Sequence, residues 1–347
     1  MEEIHPNSPN ENNIDTFLWK KNLIGSGYDI VSIVAHGEYV YAGTSHGEVH
    51  RYSLKGEPSG INILQAAPSK GEVRLTIYKD QLVVGTVGCI MLIQLDNFEK
   101  IDSYTMIELS FPKTIFKNRA VSVIADDNFI YAGSVGYVFK YNIASKETIM
   151  RTFLNRGHQE VCLEMIGNQL IAGTEGHVVL IEKNDFERKK KIISLPHSGY
   201  GTVSLLVYDN IIYAGSNGYA YKISADGKEV KKNELEVVEK SEVSLAIKSD
   251  KLIVGSNGDI MAISLIDFEY KGEYITSLPH CKGEIVSVAV SDSYVYAGSV
   301  GYIYRIEDRK PVYIEGMGTN AIRFCENNRQ LFAAGSNFLA SIAYKES

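Results

Sequence analysis

Along most of the chain, apolar and polar positions alternate with a period of two, and short polar turns interrupt the pattern. Eight alternating segments stand out: VSIVAH at 31–36, VRLTIY at 73–78, VSVIAD at 121–126, VCLEMI at 161–166, VSLLVY at 203–208, VSLAIK at 243–248, VSVAVS at 286–291 and, more loosely, AIRFCE at 321–326. Each is followed by a polar turn and a second apolar run ending in a small A-G-[ST] or V-G-[ST] unit. A Gly-bearing turn, a third run such as YVFKYNI and a less regular fourth such as YKGEYITS complete the unit. Alternation bounded by Gly, Asn and Asp predicts antiparallel hairpins rather than helices.

The glycines of the small units are Gly43, Gly85, Gly133, Gly173, Gly215, Gly255, Gly298 and Gly335, spaced by 42, 48, 40, 42, 40, 43 and 37 residues. Eight copies near a period of 42 predict the blades of a propeller. A four-stranded sheet buries both faces only when it stacks on neighbours, and radial repetition supplies them. The small residues are expected where blades approach closely, and Gly136, Gly218 and Gly301 where a turn needs positive φ. Odd copies carry YAG and Tyr-rich third runs. Even copies carry aliphatic ones. SFPK at 110 and SLPH at 194 and 277 precede odd copies, so a pair of blades is the unit that was duplicated.

The eighth copy stops after its third run, near FLASIAY, while TFLWKKNLI at 16–24 precedes the first copy as a spare strand. That strand is expected to complete the last blade and close the ring, removing an exposed edge. The expected architecture is therefore all-β: an eight-bladed propeller of four-stranded antiparallel blades. Residues 1–15 read as a loose tail and 16–347 as one domain. Its blades lie near 25–65, 66–109, 110–154, 155–194, 195–237, 238–277, 278–314 and 315–347, the last joined by 16–24.

VSVIADDNFIYAGSVGYVFKYNI at 121–143 resembles a WD-repeat blade in strand order and in its small-residue second strand. IIYAGSNGYAYKISADGKEV at 211–230 is similar to the quinoprotein-type (PQQ-like) eight-bladed repeat. The resemblance implies a propeller over nearly all of residues 16–345, of a kind that serves as a binding platform more often than as an enzyme. Trp19 is the single tryptophan, and Tyr or Ile stands where WD repeats close on Trp-Asp. No cofactor residue carries over, and none is expected.

A net charge of −7 argues against sequence-independent nucleic-acid binding, which needs a basic surface, and no sequence-specific nucleic-acid partner is expected. The acidic start MEEIHPNSPNENN lacks the basic and apolar regions of a secretory signal, and no run is long enough to span a membrane. Cys89, Cys162, Cys281 and Cys325 are scattered, so they read as reduced thiols in a cytoplasmic protein. No phosphate loop, nucleophile elbow or zinc-binding spacing occurs. Serines at 32, 122, 204, 244 and 287 recur in repeat register, which points to packing rather than to one nucleophile.

Two regions carry candidate chemistry. The loops leading into the inner strands hold Tyr28, Lys113, Arg119, Arg156, His158, His197, Tyr200, His280 and Lys282. Aromatic and basic side chains together suit a protein partner or a peptide segment of one. Glu72, Glu160 and Glu242 each lie 13 residues before their blade glycine, where the inner strands start and surround one mouth of the channel. They could attract a cation or a basic segment. Arg74, Glu164 and Arg323 interrupt the inner strands and are expected to be paired or to face the channel. Arg51, Lys140, Lys222 and Arg305 recur in odd third strands, with stems expected between blades and heads in water. The basic run FERKKKI at 186–192 reads as a solvated outer edge. The leading expectation is a non-enzymatic interaction scaffold. A small-ligand or carbohydrate binder with repeated sites, and an enzyme working at the channel mouth, stay open.

Overall fold

The structure, a computed structural model, describes residues 17–22, 29–55, 58–66, 71–105, 121–154, 160–187, 190–199, 201–235, 242–279, 281–291, 294–307, 310–313, 321–327, 330–336 and 338–342. These form eight four-stranded antiparallel sheets. The inner strands are Ile30–His36, Arg74–Tyr78, Ser122–Ala125, Cys162–Ile166, Ser204–Tyr208, Val243–Lys248, Ser287–Ser291 and Arg323–Asn327, for blades 1 to 8. Each packs against the inner strand of the next blade, and Arg323–Asn327 packs against Ile30–His36, so the ring is closed.

Closure occurs where the spare strand was expected. Phe17–Asn22 pairs antiparallel with Phe338–Ile342, placing Lys20 opposite Ala340 and Lys21 opposite Leu339. The last blade thus joins the two ends of the sequence. At its seam with blade 1, Asp29 and Ser336 form a β-bridge, and Ser336 Oγ donates to Asp29 Oδ1 at 2.6 Å.

The core lies between blades. Eight apolar clusters of described residues each straddle one seam; Tyr41 and Val49 of blade 1, for example, pack with Leu82, Val84 and Phe98 of blade 2. The alternating second and third strands bury both their faces because each face meets a different neighbour. The blade glycines are the points of closest approach. A Cβ at Gly43 would lie 2.4 Å from the Val73 carbonyl oxygen, and one at Gly85 would lie 2.2 Å from that of Val121. At Gly133, Gly173, Gly215, Gly255 and Gly298 the obstruction is a Val or Ile of the following blade.

The turns after the second strands hold two successive left-handed residues, with φ of 48° at Val135 and 74° at Gly136, 50° at Asn217 and 78° at Gly218, and 45° at Val300 and 81° at Gly301. Two positive φ values are what a two-residue hairpin turn following the sheet twist requires. Asn tolerates this geometry; Val does not. Burial of Val135 in an apolar cluster, and packing of Val300 against another, offset its strain.

The duplicated pair of blades has a physical counterpart. In three of the four odd blades the buried Tyr of YAG lies about 6 Å, ring to ring, from a Phe of the following even blade: Tyr41 on Phe98, Tyr131 on Phe186 and Tyr213 on Phe268. Each Phe sits in an Asn-Phe-Glu or Asp-Phe-Glu triplet after the even third strand, at 97–99, 185–187 and 267–269.

In blades 1, 3 and 5 the basic residue of the third strand locks the same seam, which corrects the expectation that the heads of Arg51, Lys140 and Lys222 reach water; Arg305 instead has its Cζ 4.8 Å from the centre of the Tyr294 ring. Arg51 Nη1 donates to the Leu95 carbonyl at 3.1 Å, Lys140 Nζ to that of Lys183 at 2.7 Å, and Lys222 Nζ to that of Leu265. Arg51 and Lys140 are buried, and Lys140 Nζ also lies 3.9 Å from the centre of the Phe129 ring. A carbonyl and an aromatic face stand in for part of the water that Lys140 gives up, while burial still lowers its pKa.

Candidate functional site

The repeated serines also bridge blades. Ser32 Oγ accepts the Leu75 amide at 3.0 Å, Ser244 Oγ accepts that of Val288 at 3.1 Å, and Ser204 Oγ donates to the Val243 carbonyl. They pair opposite the blade glycines, as Ser32 with Gly43, Ser204 with Gly215 and Ser244 with Gly255. The same row reads Arg74 in blade 2 and Cys162 in blade 4. The eightfold regularity is therefore broken at the axis, and the breaks carry charge or a thiol.

An axial cavity of about 380 Å³ opens there. Its lining includes Arg74, Ser122, Glu160, Cys162, Thr202, Glu242 and Arg323. Arg74 Nη2 lies 2.9 Å from Glu72 Oε2 and 3.4 Å from Glu160 Oε1, while its Nη1 donates to the Val31 carbonyl at 2.9 Å. The three glutamates lie just ahead of their strands rather than within them. They do not form a bare carboxylate ring, because an arginine joins two of them. Among the described residues no group of His, Cys, Asp and Glu is arranged to hold a metal ion.

Arg323 reaches the same cavity from blade 8. Burial lowers its pKa, and the Arg74 charge adds to that; Glu242, Glu72 and Glu160 oppose it. Glu164 lies two residues beyond Cys162 and so on the same face of its strand. Burial pushes its carboxyl up to about 7, against a smaller lowering by the Met165 amide. Its ordinary value is near 4.5. Between these values the folded chain holds a proton that the unfolded chain releases, so this group's stabilisation is lost as pH rises through about 7. Denaturant midpoints compared at about pH 5 and about pH 8 are expected to fall more for the wild type than for Glu164→Gln. Equal falls would contradict the burial of this carboxyl.

Of the loop residues expected to meet a partner, His197 and Lys282 are described, and both are exposed. Tyr28, Lys113, Arg119, Arg156, His158, Tyr200 and His280 lie outside the described residues. His197 has φ 71°, and its ring stacks on Tyr219 at 5.6 Å. The Tyr219 hydroxyl donates to Glu234 Oε1 at 3.3 Å. Beneath His197 the loop is pinned. Tyr221 donates its hydroxyl to the Pro196 carbonyl, Ser198 Oγ donates to the Leu195 carbonyl at 2.7 Å, and Asn217 Nδ2 donates to the Ser198 carbonyl. The second SLPH segment repeats the first of these bonds, with Tyr304 donating to the Pro279 carbonyl at 2.6 Å. The Ser-Leu-Pro part of the motif thus serves packing, and the residue after it points outward in the first copy.

The closed ring of eight blades has the fold of the WD-repeat and quinoprotein-type propellers. Among solved structures, a computationally designed protein, Ika8, is similar over 93% of this chain and 98% of its own, with 16% identity and a TM-score of 0.68. BamB from Moraxella catarrhalis is similar over 96% of this chain and 98% of its own, with 14% identity and a TM-score of 0.66. The WD40 propeller domain of Doa1 is similar over 95% and 97% respectively, with 15% identity and a TM-score of 0.58. No family model matches the chain, and no curated protein does. At these identities the likeness is one of fold.

Proposed function

We propose that this propeller is a non-enzymatic interaction scaffold that holds protein partners, or a peptide segment of one, on the face bearing the loops into the inner strands. The observation that carries this reading is the use of the repeat's polar groups. The serine row and the odd-blade cations are bonded across seams, so they serve the ring rather than a reaction. What varies from blade to blade on that face is the loop chemistry, where a rigid base presents the His197 and Tyr219 pair. Rigid aromatic groups in a polar surround suit interface anchors, since little side-chain freedom is lost on contact.

A cytoplasmic setting is part of the proposal. All four cysteines are free, as a reducing compartment keeps them. Among the described residues no helix is long and apolar enough to cross a membrane.

The test is affinity purification from the native cell, with the chain carrying His197→Ala, Tyr200→Ala, His280→Ala and Lys282→Ala together as the comparison. The wild type is expected to retain partners that the fourfold variant loses while keeping its melting temperature. An unchanged set of partners would reject this face.

A further inference from the structure

The axial cavity holds charges that the partner reading leaves unused. Arg74 is saturated by two carboxylates and a carbonyl. Arg323 is its opposite: its Nε is buried without a hydrogen-bond partner, and no ion pair to it forms among the described residues. Arg323 is half-buried and lines the cavity, so its guanidinium stands where it can take a partner from outside the chain. Its planar fork suits a carboxylate.

The rest of the wall limits what else that partner carries. Glu160 and Glu242 line the same cavity from blades 4 and 6, both exposed to it, and Thr202 Oγ1 donates to Glu242 Oε1 at 3.5 Å. With Glu72, the mouth has three carboxylates against two guanidiniums. A plain anion on Arg323 would deepen that negative excess inside a confined space, where charges interact more strongly than in bulk water. A molecule with both signs would not. The cavity has the size of a small-metabolite site.

We propose that the channel binds one small zwitterion of the amino-acid class, with its carboxylate on the Arg323 guanidinium and its ammonium toward Glu160 and Glu242. There is one such site per ring, because Arg323, paired opposite Ala334 as Ser32 is opposite Gly43, breaks the serine row where the glutamates follow the repeat. The proposal stands apart from partner binding on the loop face, and either can fail without the other.

The test is calorimetry of the full chain against the twenty common α-amino acids, with propionate and n-propylammonium as half-ligands. At least one amino acid is expected to bind with a stoichiometry of one and more tightly than either half-ligand. Arg323→Met is expected to weaken that binding by about ten- to a hundredfold, the worth of a lost charge-assisted pair. Glu242→Gln is expected to weaken the amino acid while leaving propionate unchanged. Ligand-free Arg323→Met is expected to melt no lower than the wild type, since a half-buried cation with no ion pair among the described residues is replaced by an apolar side chain. No amino-acid binding to the folded wild type would overturn the proposal. So would propionate binding as tightly as the best amino acid, or Arg323→Met melting lower, which would give Arg323 a structural role.

Discussion

Gly85→Ala is expected to destabilise the protein by about 3 kcal/mol, the upper end of the usual cost of overpacking a filled interior. The added carbon would stand 2.2 Å from the Val121 carbonyl oxygen and 2.7 Å from Val123 Cγ1, both in the next blade. The first of these is backbone and cannot rotate away, so blades 2 and 3 must separate. Gly37→Ala is the informative comparison, because nothing lies within 4 Å of its added carbon, although its φ of 57° brings a small strain of its own. Urea unfolding of the two variants checks the expectation. A Gly85→Ala cost no larger than that of Gly37→Ala would mean that the blades are not in contact where the ring places them.

Deletion of residues 17–22 is expected to have an effect of comparable size by a different route. The strand Phe338–Ile342 is buried throughout and pairs with Phe17–Asn22 along one side. Without that partner it becomes an open, apolar sheet edge in blade 8. Such edges recruit other chains. The deleted protein is expected to elute as aggregate in size-exclusion chromatography at concentrations where the wild type elutes as a discrete species. Unaltered elution would show that Phe338–Ile342 is covered by something else.

Strand order, blade number and ring closure were legible because they rest on local patterning. Alternation, turn residues and a small-residue unit recur in each copy, and an incomplete last copy beside a spare first strand implies closure. Interactions across seams were harder to see. Arg51, Lys140 and Lys222 look amphipathic on their own strands. Their carbonyl acceptors lie 43 or 44 residues further on, in a copy of a different kind. Phe98, Phe186 and Phe268 repeat in Asn-Phe-Glu or Asp-Phe-Glu triplets, but these lie in the loops after the even third strands, outside the alternating segments, and recur only among even copies.

The axial charges show a further limit. Arg74, Glu164 and Arg323 were conspicuous as interruptions of an apolar pattern. The meaning of each depends on what the ring brings near it. Arg74 and Glu160 are 86 residues apart in sequence and 3.4 Å apart in space, so an arginine offsets part of the glutamate set once the chain is folded. Sequence spacing placed three carboxylates at one mouth; the spacing does not encode that Arg74 sits between two of them while Arg323 forms no ion pair among the described residues.

The central claim is that eight blades close into a ring through pairing of Phe17–Asn22 with the last blade. The most direct measurement is disulfide formation in a Lys20→Cys, Ala340→Cys variant, mapped by mass spectrometry after mild oxidation. Residues directly opposite one another in antiparallel strands come within bridging range. The account predicts an intramolecular bridge between the peptides carrying positions 20 and 340, formed in high yield at low protein concentration. Absence of that bridge, or its formation only between molecules, would contradict the closed ring.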